Sequence, residues 1–291
     1  MKAAVLFLAR GVDGGLPALD SFLTSYQSHP AGHEHKLYII SKGWKNPAQL
    51  DLLRRRAQEA NAEVIGLPDD GYDWGAYFRA AEQVQEDWLC FLNTHSRIER
   101  DGWLDILVGA ASRPGVGVVG CTGSWGTILP TWRFIWPICS DIFRNKGVLK
   151  GTYGLIGSLL VFPPRYLRSV GHFSDFPNPH VRSNAFLTAR RLILAFAKAN
   201  AIPQEKKDAF RLESGRSSFT RFVEKQGLQA LVAGADGRVF SPKQWRESQT
   251  FRIPGQANLI ISDNQTRGYD TGSRGVRRIM ELSAWGKFYS R

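Results

Sequence analysis

The stretch VIGLPDDGYDWGAYFRAAEQVQEDWLCFLNTHSRI, residues 64–98, shows the clearest change of pattern in the chain. Apolar side chains recur at helical spacing from Trp74 to Val84, with Arg79 and Glu82 on the other side, which predicts an amphipathic helix. The apolar run that follows, residues 88–92, is typical of a parallel strand covered on both faces. The polar residues 93–96 then lie at the carboxyl end of that strand, where ligands bind in such sheets.

The same alternation continues on both sides of this stretch. The predicted strands are 3–9, 36–40, 63–67 and 116–120, and the predicted helices are 16–28, 47–61 and 102–111. This order predicts an α/β fold with a mainly parallel central sheet flanked by helices. Further along, an apolar helix is expected over 185–199 and a polar turn over 263–266.

Length and composition favour one folded domain. The chain has 291 residues, of which 43% are hydrophobic, enough for a full core. Its three cysteines, Cys90, Cys121 and Cys139, are odd in number and lack C-x-x-C spacing, which argues against a disulfide framework or a structural zinc site. A reducing cytoplasm is therefore expected. No apolar run reaches the roughly 18 residues that a bilayer-spanning helix needs.

A net charge of +12 gives the protein affinity for polyanions: nucleic acid, nucleotide diphosphates or an anionic membrane face. Residues 267–291 concentrate this charge, and they predict either a basic segment that binds a membrane peripherally or a solvated tail. The sequence has no zinc finger, RNA-recognition aromatic motif or basic zipper, so no nucleic-acid partner is expected. A basic nucleic-acid-binding protein nevertheless remains an alternative that explains the charge.

The order of Asp73-Trp74-Gly75-Ala76, an Ala-rich helix, an apolar strand and a polar triplet resembles the first half of a GT-A glycosyltransferase. The likeness is to inverting family 2 and to rhamnan-synthesis type enzymes. In those families the strand ends in Asp-x-Asp, which holds a divalent cation against the diphosphate of the sugar donor. Here the triplet is Asn93-Thr94-His95. The resemblance thus implies Mg²⁺ or Mn²⁺ at Asn93 and His95, but a neutral amide is a poor ligand for either ion, and we expect weak metal dependence.

Two later segments resemble the second half of the same enzymes. GSLLVFPPRYLRSVGHF, residues 157–173, is similar to the strand and short helix under the acceptor site. ESGRSSFTRFVEKQGLQALV, residues 213–232, resembles the Glu-Asp motif that carries the catalytic carboxylate, although Ser214 replaces the second acid. The resemblance implies Glu213 as catalytic base. It also implies a single GT-A (Rossmann-like) domain over 1–266, with a donor half at 1–120, an acceptor half at 121–266, and a basic segment at 267–291.

The activity implied by the resemblance is transfer of a sugar from a nucleotide-diphosphate sugar to a hydroxyl of a glycan or lipid-linked glycan. Inversion at the anomeric carbon and a role in bacterial-type cell-surface polysaccharide synthesis, at the inner face of the plasma membrane, are part of that expectation. A nucleotidyltransferase-like enzyme, which shares related folds, is a second alternative.

The candidate site residues fall into two groups. The donor-binding candidates are Arg10, Lys42, Asp73, Asn93 and His95. The acceptor or diphosphate candidates are Trp125, His180, Arg182, Arg216 and Asp263.

Several of these candidates have a structural alternative. Asp73 also suits the N-cap of a helix that begins at Trp74, and Glu213 also suits a helix start, where the dipole favours a carboxylate. Trp125, with the aromatic residues 132–136, predicts a platform for a sugar ring, a membrane-inserting surface or a covering core. Ser183 or Asn184 is the expected N-cap of the helix over 185–199.

Overall fold

The computed structural model describes residues 2–129, 166, 167 and 169–290. The strands in this part of the chain are β1 Ala3–Arg10, β2 His35–Lys42, β3 Glu63–Gly66, β4 Trp88–Leu92, β5 Arg97–Ile98, β6 Val116–Gly120, β7 Gly123–Ser124, β8 His180–Val181, β9 Ala185–Ala189, β10 Gln229–Ala233, β11 Val239–Phe240 and β12 Ile261–Ser262. The helices are α1 Gly15–Ser28, α2 Pro47–Glu59, α3 Tyr72–Gln83, α4 Trp103–Ala111, α5 Arg190–Lys198, α6 Lys206–Ser214, α7 Phe219–Lys225, α8 Asn264–Thr271 and α9 Arg274–Trp285, and a 3-10 turn covers Trp245–Ser248.

The central sheet has eight strands in the order β11-β10-β6-β9-β4-β1-β2-β3. All of them run in one direction except β9, which is antiparallel to both β4 and β6, and β11, which is antiparallel to β10. The mainly parallel α/β sheet flanked by helices, expected from the sequence, is therefore confirmed. Its long run of parallel neighbours, β3-β2-β1-β4, brings the carboxyl ends of these strands to one edge.

The sheet is covered on both faces, and β1 shows this most directly. Leu6 and Leu8 belong to one buried cluster, with Trp74 of α3 and Phe219 of α7. The alternate side chain Phe7 belongs to the other cluster, together with residues of α1, α2 and α4. Because successive side chains of a strand point to opposite faces, a continuously apolar strand must lie between two helical layers.

The segment 185–199 differs from the expected single helix. Residues Ala185–Ala189 form the buried strand β9, and the helix α5 begins only at Arg190, with Ala189 at its N-cap. Ser183 and Asn184 therefore cap no helix. A short apolar run such as residues 185–189 suits a buried strand as well as a helix. Here it forms the strand that pairs with both β4 and β6.

The segment 267–290 is part of the folded domain and does not form a solvated tail. The expected boundary after residue 266 falls inside α8, and α9 contributes Trp285, which is 2% exposed, to the cluster that holds Trp74. Cys90 and Cys121 are buried free thiols, as expected of small core residues, and burial raises the pKa of both. Cys139, the aromatic residues 132–136 and most of 157–173 lie outside the described residues.

Candidate functional site

Side chains at the ends of β1, β2 and β4 meet at the carboxyl edge of the sheet. Arg10 and Lys42 are register partners at the ends of β1 and β2. Arg10 reaches Asp69 Oδ1 at 3.4 Å and Asp13 Oδ2 at 3.8 Å, and Asp13 Oδ1 in turn accepts a hydrogen bond from His95 Nε2 at 3.2 Å. Asp13 thus joins two of the expected donor-binding residues, and no local motif in the sequence pointed to it.

Lys42 supports this edge from inside the protein. Its side chain is buried, and Nζ donates to the carbonyl oxygens of Asp70 at 2.7 Å and Tyr72 at 2.9 Å. Burial and the positive charge of Arg10 lower the pKa of Lys42. Tyr72 has φ 53°, a left-handed conformation that is strained for a residue with a side chain. Lys42 therefore anchors the start of α3, and its ammonium group is already bonded within the protein.

Asp73 lies in the first turn of α3 and is not its cap, since the helix begins at Tyr72 and Gly71 occupies the N-cap position. The side chain is partly exposed, yet protein atoms crowd its carboxyl group. This burial raises the pKa of Asp73, and the negative charge of Glu213 raises it further. The candidate donor-binding carboxyl of Asp73 and the candidate base Glu213 are thus near enough for their charges to interact.

The triplet after β4 forms a closed turn. Asn93 Oδ1 accepts from the backbone N–H of His95 at 3.1 Å and from Ser96 Oγ at 3.0 Å, while His95 Nε2 is bonded to Asp13. Magnesium and manganese favour carboxylate-rich oxygen sets, which these residues do not supply. Within residues 2–129 and the later described segments, no three His, Cys, Asp or Glu side chains are grouped to hold a metal ion. The side chains of Asn93 and His95 therefore do not fit the cation that the resemblance implied.

Glu213 lines a cavity of about 420 Å³. It lies at the carboxyl end of α6, not at a helix start as expected, so the helix dipole does not stabilise its charge there. Glu213 Oε1 accepts from the backbone N–H of Ser183 at 3.0 Å, and Oε2 has no hydrogen bond among the described residues. One carboxylate oxygen is thus fixed while the other is open.

His180 lines the same cavity. Its Nδ1 lies 2.9 Å from the carbonyl oxygen of Asn178, and because a carbonyl only accepts, Nδ1 carries the hydrogen. Burial lowers the pKa of His180, although the nearby charge of Glu213 acts in the opposite direction. A neutral imidazole in this tautomer has Nε2 as a hydrogen-bond acceptor.

Arg182, also in the cavity wall, forms a buried ion pair with Asp263. Its Nη2 lies 2.7 Å from Asp263 Oδ2, and Nη1 lies 3.3 Å from Thr122 Oγ1. Asp263 is completely buried and is the N-cap of α8, where Oδ1 accepts from the backbone N–H of Thr266. Burial alone would raise the pKa of Asp263, but Arg182 and the capping bonds lower it. Asp263 therefore fixes the guanidinium of Arg182 in the cavity wall.

Two further candidates lie outside this cavity. Trp125 is tied by a bond from Nε1 to the carbonyl oxygen of Pro242, packs edge-on against Trp285 at 5.7 Å and is covered by the guanidinium of Arg246 at 4.7 Å. These contacts fix the indole, and its side chain remains half-buried. Arg216 is exposed and bonds through Nε to the carbonyl oxygen of Phe173 at 3.3 Å.

A second cavity, of about 350 Å³, opens beside the ends of β2 and β3. Its wall includes Trp44 and Arg54 as well as Lys42. Trp44 Nε1 donates to the carbonyl oxygen of Ala9 at 3.1 Å, which fixes the indole against the end of β1. The carboxyl edge therefore offers an aromatic and basic recess beside the Arg10–Asp13–His95 group.

No protein-family model and no curated protein matches the sequence. The chain has structural neighbours among nucleotide-sugar enzymes. A fragment of S. aureus TarS in complex with UDP-GlcNAc matches with 14% identity and a TM-score of 0.34 over 41% of this chain and 34% of that chain. This chain thus spans about a third of that neighbour.

Two other solved structures match a larger share of this chain. Glucosyl-3-phosphoglycerate synthase from Mycobacterium tuberculosis, bound to Mn²⁺, UDP and glucosyl-3-phosphoglycerate, matches with 13% identity and a TM-score of 0.36 over 66% of this chain and 57% of that chain. CMP:2-keto-3-deoxy-manno-octonic acid synthetase, complexed with CTP, matches with 12% identity and a TM-score of 0.43 over 80% of this chain and 89% of that chain.

Proposed function

We propose that the protein is a glycosyltransferase that moves a sugar from a nucleotide-diphosphate sugar to an acceptor hydroxyl. The observation that carries this proposal is Glu213, whose carboxylate has one oxygen fixed by the backbone N–H of Ser183 and the other without a hydrogen bond among the described residues, in the wall of the cavity of about 420 Å³. A general base needs this arrangement, because it must be held in place and still reach the proton that it removes.

The donor is proposed to bind along the carboxyl edge. The recess at Trp44 accommodates the nucleoside, and Arg10 and His95 approach the diphosphate. Charge on a departing diphosphate needs stabilisation, and cationic side chains and backbone N–H groups provide it when no metal does. Removal of the acceptor proton by Glu213, on the side of the sugar opposite the leaving group, gives inversion.

We also propose that the enzyme works at an anionic membrane face on a glycan or lipid-linked glycan, in the synthesis of cell-surface polysaccharide. No helix in the described part of the chain has the length and apolar character for crossing a bilayer. On α9, however, Val276 and Ile279 are 45% and 43% exposed and lie among Arg274 and Arg277. An apolar stripe flanked by arginines suits peripheral binding to anionic lipid headgroups.

The test is a panel of nucleotide sugars and free nucleotides, with thermal stability of the full chain as the readout. A ligand that binds only the folded state raises the melting temperature, by an amount that grows with its concentration. The stabilising nucleotide sugar is then offered with glycan acceptors, and the product is identified by mass spectrometry. Stabilisation by DNA or RNA with none by any nucleotide sugar would instead favour the nucleic-acid-binding alternative.

A further inference from the structure

Two guanidinium groups lie against one phenyl ring in the wall of the cavity that contains Glu213. The Cζ atoms of Arg182 and Arg252 are 4.2 Å and 4.8 Å from the centroid of the Phe251 ring. All of these side chains line the same cavity of about 420 Å³. A pair of cations held this close is unfavourable unless negative charge is supplied.

Of these two arginines, only Arg182 has a carboxylate of a described residue within ion-pair distance. Arg182 is paired with Asp263, whereas no carboxylate of a described residue lies within ion-pair distance of Arg252. Arg252 bonds only to neutral groups, chiefly Ser283 Oγ at 3.1 Å and Gln265 Oε1 at 3.0 Å. Burial, and next to it the positive charge of Arg182, lower the pKa of Arg252 to about 10. The cavity therefore contains a guanidinium that lacks a counterion among the described residues.

The backbone that presents Arg252 is strained. Arg252 has φ 47°, and Gln249 and Gln256 in the same loop have φ 57° and 37°. Residues with side chains adopt this left-handed region at a cost, and strained residues of this kind cluster at active sites and ligand-binding segments. The conformation is held locally, since the backbone N–H of Arg252 donates to Gln256 Oε1 at 3.0 Å. The loop thus holds the guanidinium of Arg252 at a fixed position in the cavity wall, which favours binding of an anion there.

We propose that the acceptor carries an oxyanion group that binds at Arg252 and Arg182, which leaves its hydroxyl at Glu213. This inference rests on the proposed function and names the chemical class of acceptor: a hydroxyl compound with a phosphate or carboxylate. Guanidinium groups bind such oxyanions through charge-assisted hydrogen bonds in a planar fork. The nucleotide diphosphate of the donor, bound at the carboxyl edge, uses different residues.

The experiment compares the binding of inorganic phosphate and of UDP to four forms of the full chain by calorimetry: wild type, Arg252→Gln, Arg252→Lys and Arg246→Gln. Arg246 is the matched control, because its guanidinium also stacks on an aromatic ring, that of Trp125, but lies outside the cavity. Arg252→Gln should weaken phosphate binding at least tenfold, Arg252→Lys less, and Arg246→Gln not at all. UDP affinity should be equal in all four.

Equal phosphate affinity in wild type and Arg252→Gln, or no phosphate binding to wild type, would overturn the proposal. A parallel loss of UDP affinity in Arg252→Gln would also overturn it, because the arginines would then serve the donor diphosphate. If Arg252→Gln does not fold, the Arg252→Lys arm decides by the same criteria. Failure of every nucleotide and nucleotide sugar to bind would contradict the proposed glycosyltransferase activity, whereas the phosphate measurement would still report on the arginine pair.

Discussion

At the scale of single residues, Glu213 is the group on which turnover should depend most. In Glu213→Gln the amide oxygen can still accept from the N–H of Ser183, so the fold should be preserved, but an amide cannot take the acceptor proton. We expect single-turnover transfer to fall by roughly a hundredfold or more, with nearly unchanged donor affinity and melting temperature. Glu224→Gln is the control, since Glu224 pairs with Arg221 on the surface of α7.

A stable Glu213→Gln variant with a near-normal rate would exclude Glu213 as the base and direct attention to His180, whose Nε2 is the accepting nitrogen. Asp208 and Asp263 are weaker alternative candidates for the base. Each is part of a capping box at the start of a helix, and each accepts hydrogen bonds from backbone N–H groups there.

Metal dependence is a second residue-scale prediction. Because Asn93 Oδ1 already accepts two local hydrogen bonds and His95 is bonded to Asp13, we expect transfer activity to change by less than about twofold when divalent cations are chelated. Activity measured with a chelator, and after addition of Mn²⁺, checks this. Complete loss on chelation with full recovery by Mn²⁺ would refute it.

Sequence patterns identified residues that follow a strand or belong to a resembling motif, but not residues that reach the site through tertiary packing. His95, Glu213 and Arg182 were expected near ligands; in the structure His95 bonds to Asp13 at the carboxyl edge, and Glu213 and Arg182 line one cavity. Arg252 stands in a loop with no motif, and the proposal for it depends on its contact with Phe251 and on the lack of a carboxylate partner among the described residues. Neither property is visible in local sequence.

At the scale of elements, the prediction of a helix over 185–199 was wrong for residues 185–189, which form a strand. The spacing of apolar residues predicted α3 to within two residues of its observed start, because that helix is amphipathic. Over 185–199 the buried strand β9 is followed directly by α5, so the apolar residues of the two elements form one continuous run in the sequence. Similarly, α6 is short and rich in charged residues, so Glu213 was assigned to the wrong end of a helix.

The exposed apolar side chains of α9 allow a test of membrane binding that does not disturb the core. Truncation after Thr266 would remove the buried Trp285 and destabilise the domain. We instead expect the double substitution Val276→Ser and Ile279→Ser to lower binding to anionic vesicles severalfold, because it removes the inserting stripe and leaves the charge unchanged. Vesicle sedimentation at increasing salt measures this. Wild-type binding that is equal for neutral vesicles would contradict the electrostatic part.

The end of α9 also gives a pH-dependent contribution to stability. Burial alone would raise the pKa of Glu281, but hydrogen bonds from Ser290, Tyr269 and the backbone N–H of Tyr289 lower it below its ordinary value. A lowered folded-state pKa means that this stabilisation is fully present above the ordinary carboxyl pKa of about 4.3 and is lost as the pH falls through the folded value.

We therefore expect Glu281→Gln to lower the free energy of unfolding at neutral pH by about 1–3 kcal/mol, the usual effect of disrupting buried hydrogen bonds. The difference from wild type should shrink as the pH falls below about 4.3. Urea unfolding of both proteins over this pH range measures it. A difference that stays constant with pH would show that the carboxylate charge of Glu281 contributes nothing.

At the scale of the whole molecule, composition and net charge predicted less about the fold and its ligands than the order of strands and helices did. The charge of +12 is compatible with several polyanionic partners, and only the arrangement of particular arginines narrows the choice. The alternation of strands and helices predicted the sheet, because each helix of a parallel crossover must cover a face. What it did not predict was that residues far along the chain would insert β9 into the middle of that sheet.

This insertion has a consequence for how the protein is made. Strands β4 and β6 are complete by residue 120, but β9, which bonds to both, is translated more than 60 residues later, as the pairing of Val118 with Thr188 shows. Until then the edges of β4 and β6 that face β9 are unpaired in the nascent chain, and such edges pair readily with other chains. Synthesis should therefore pass through an aggregation-prone interval that lasts at least until residue 189 has left the ribosome.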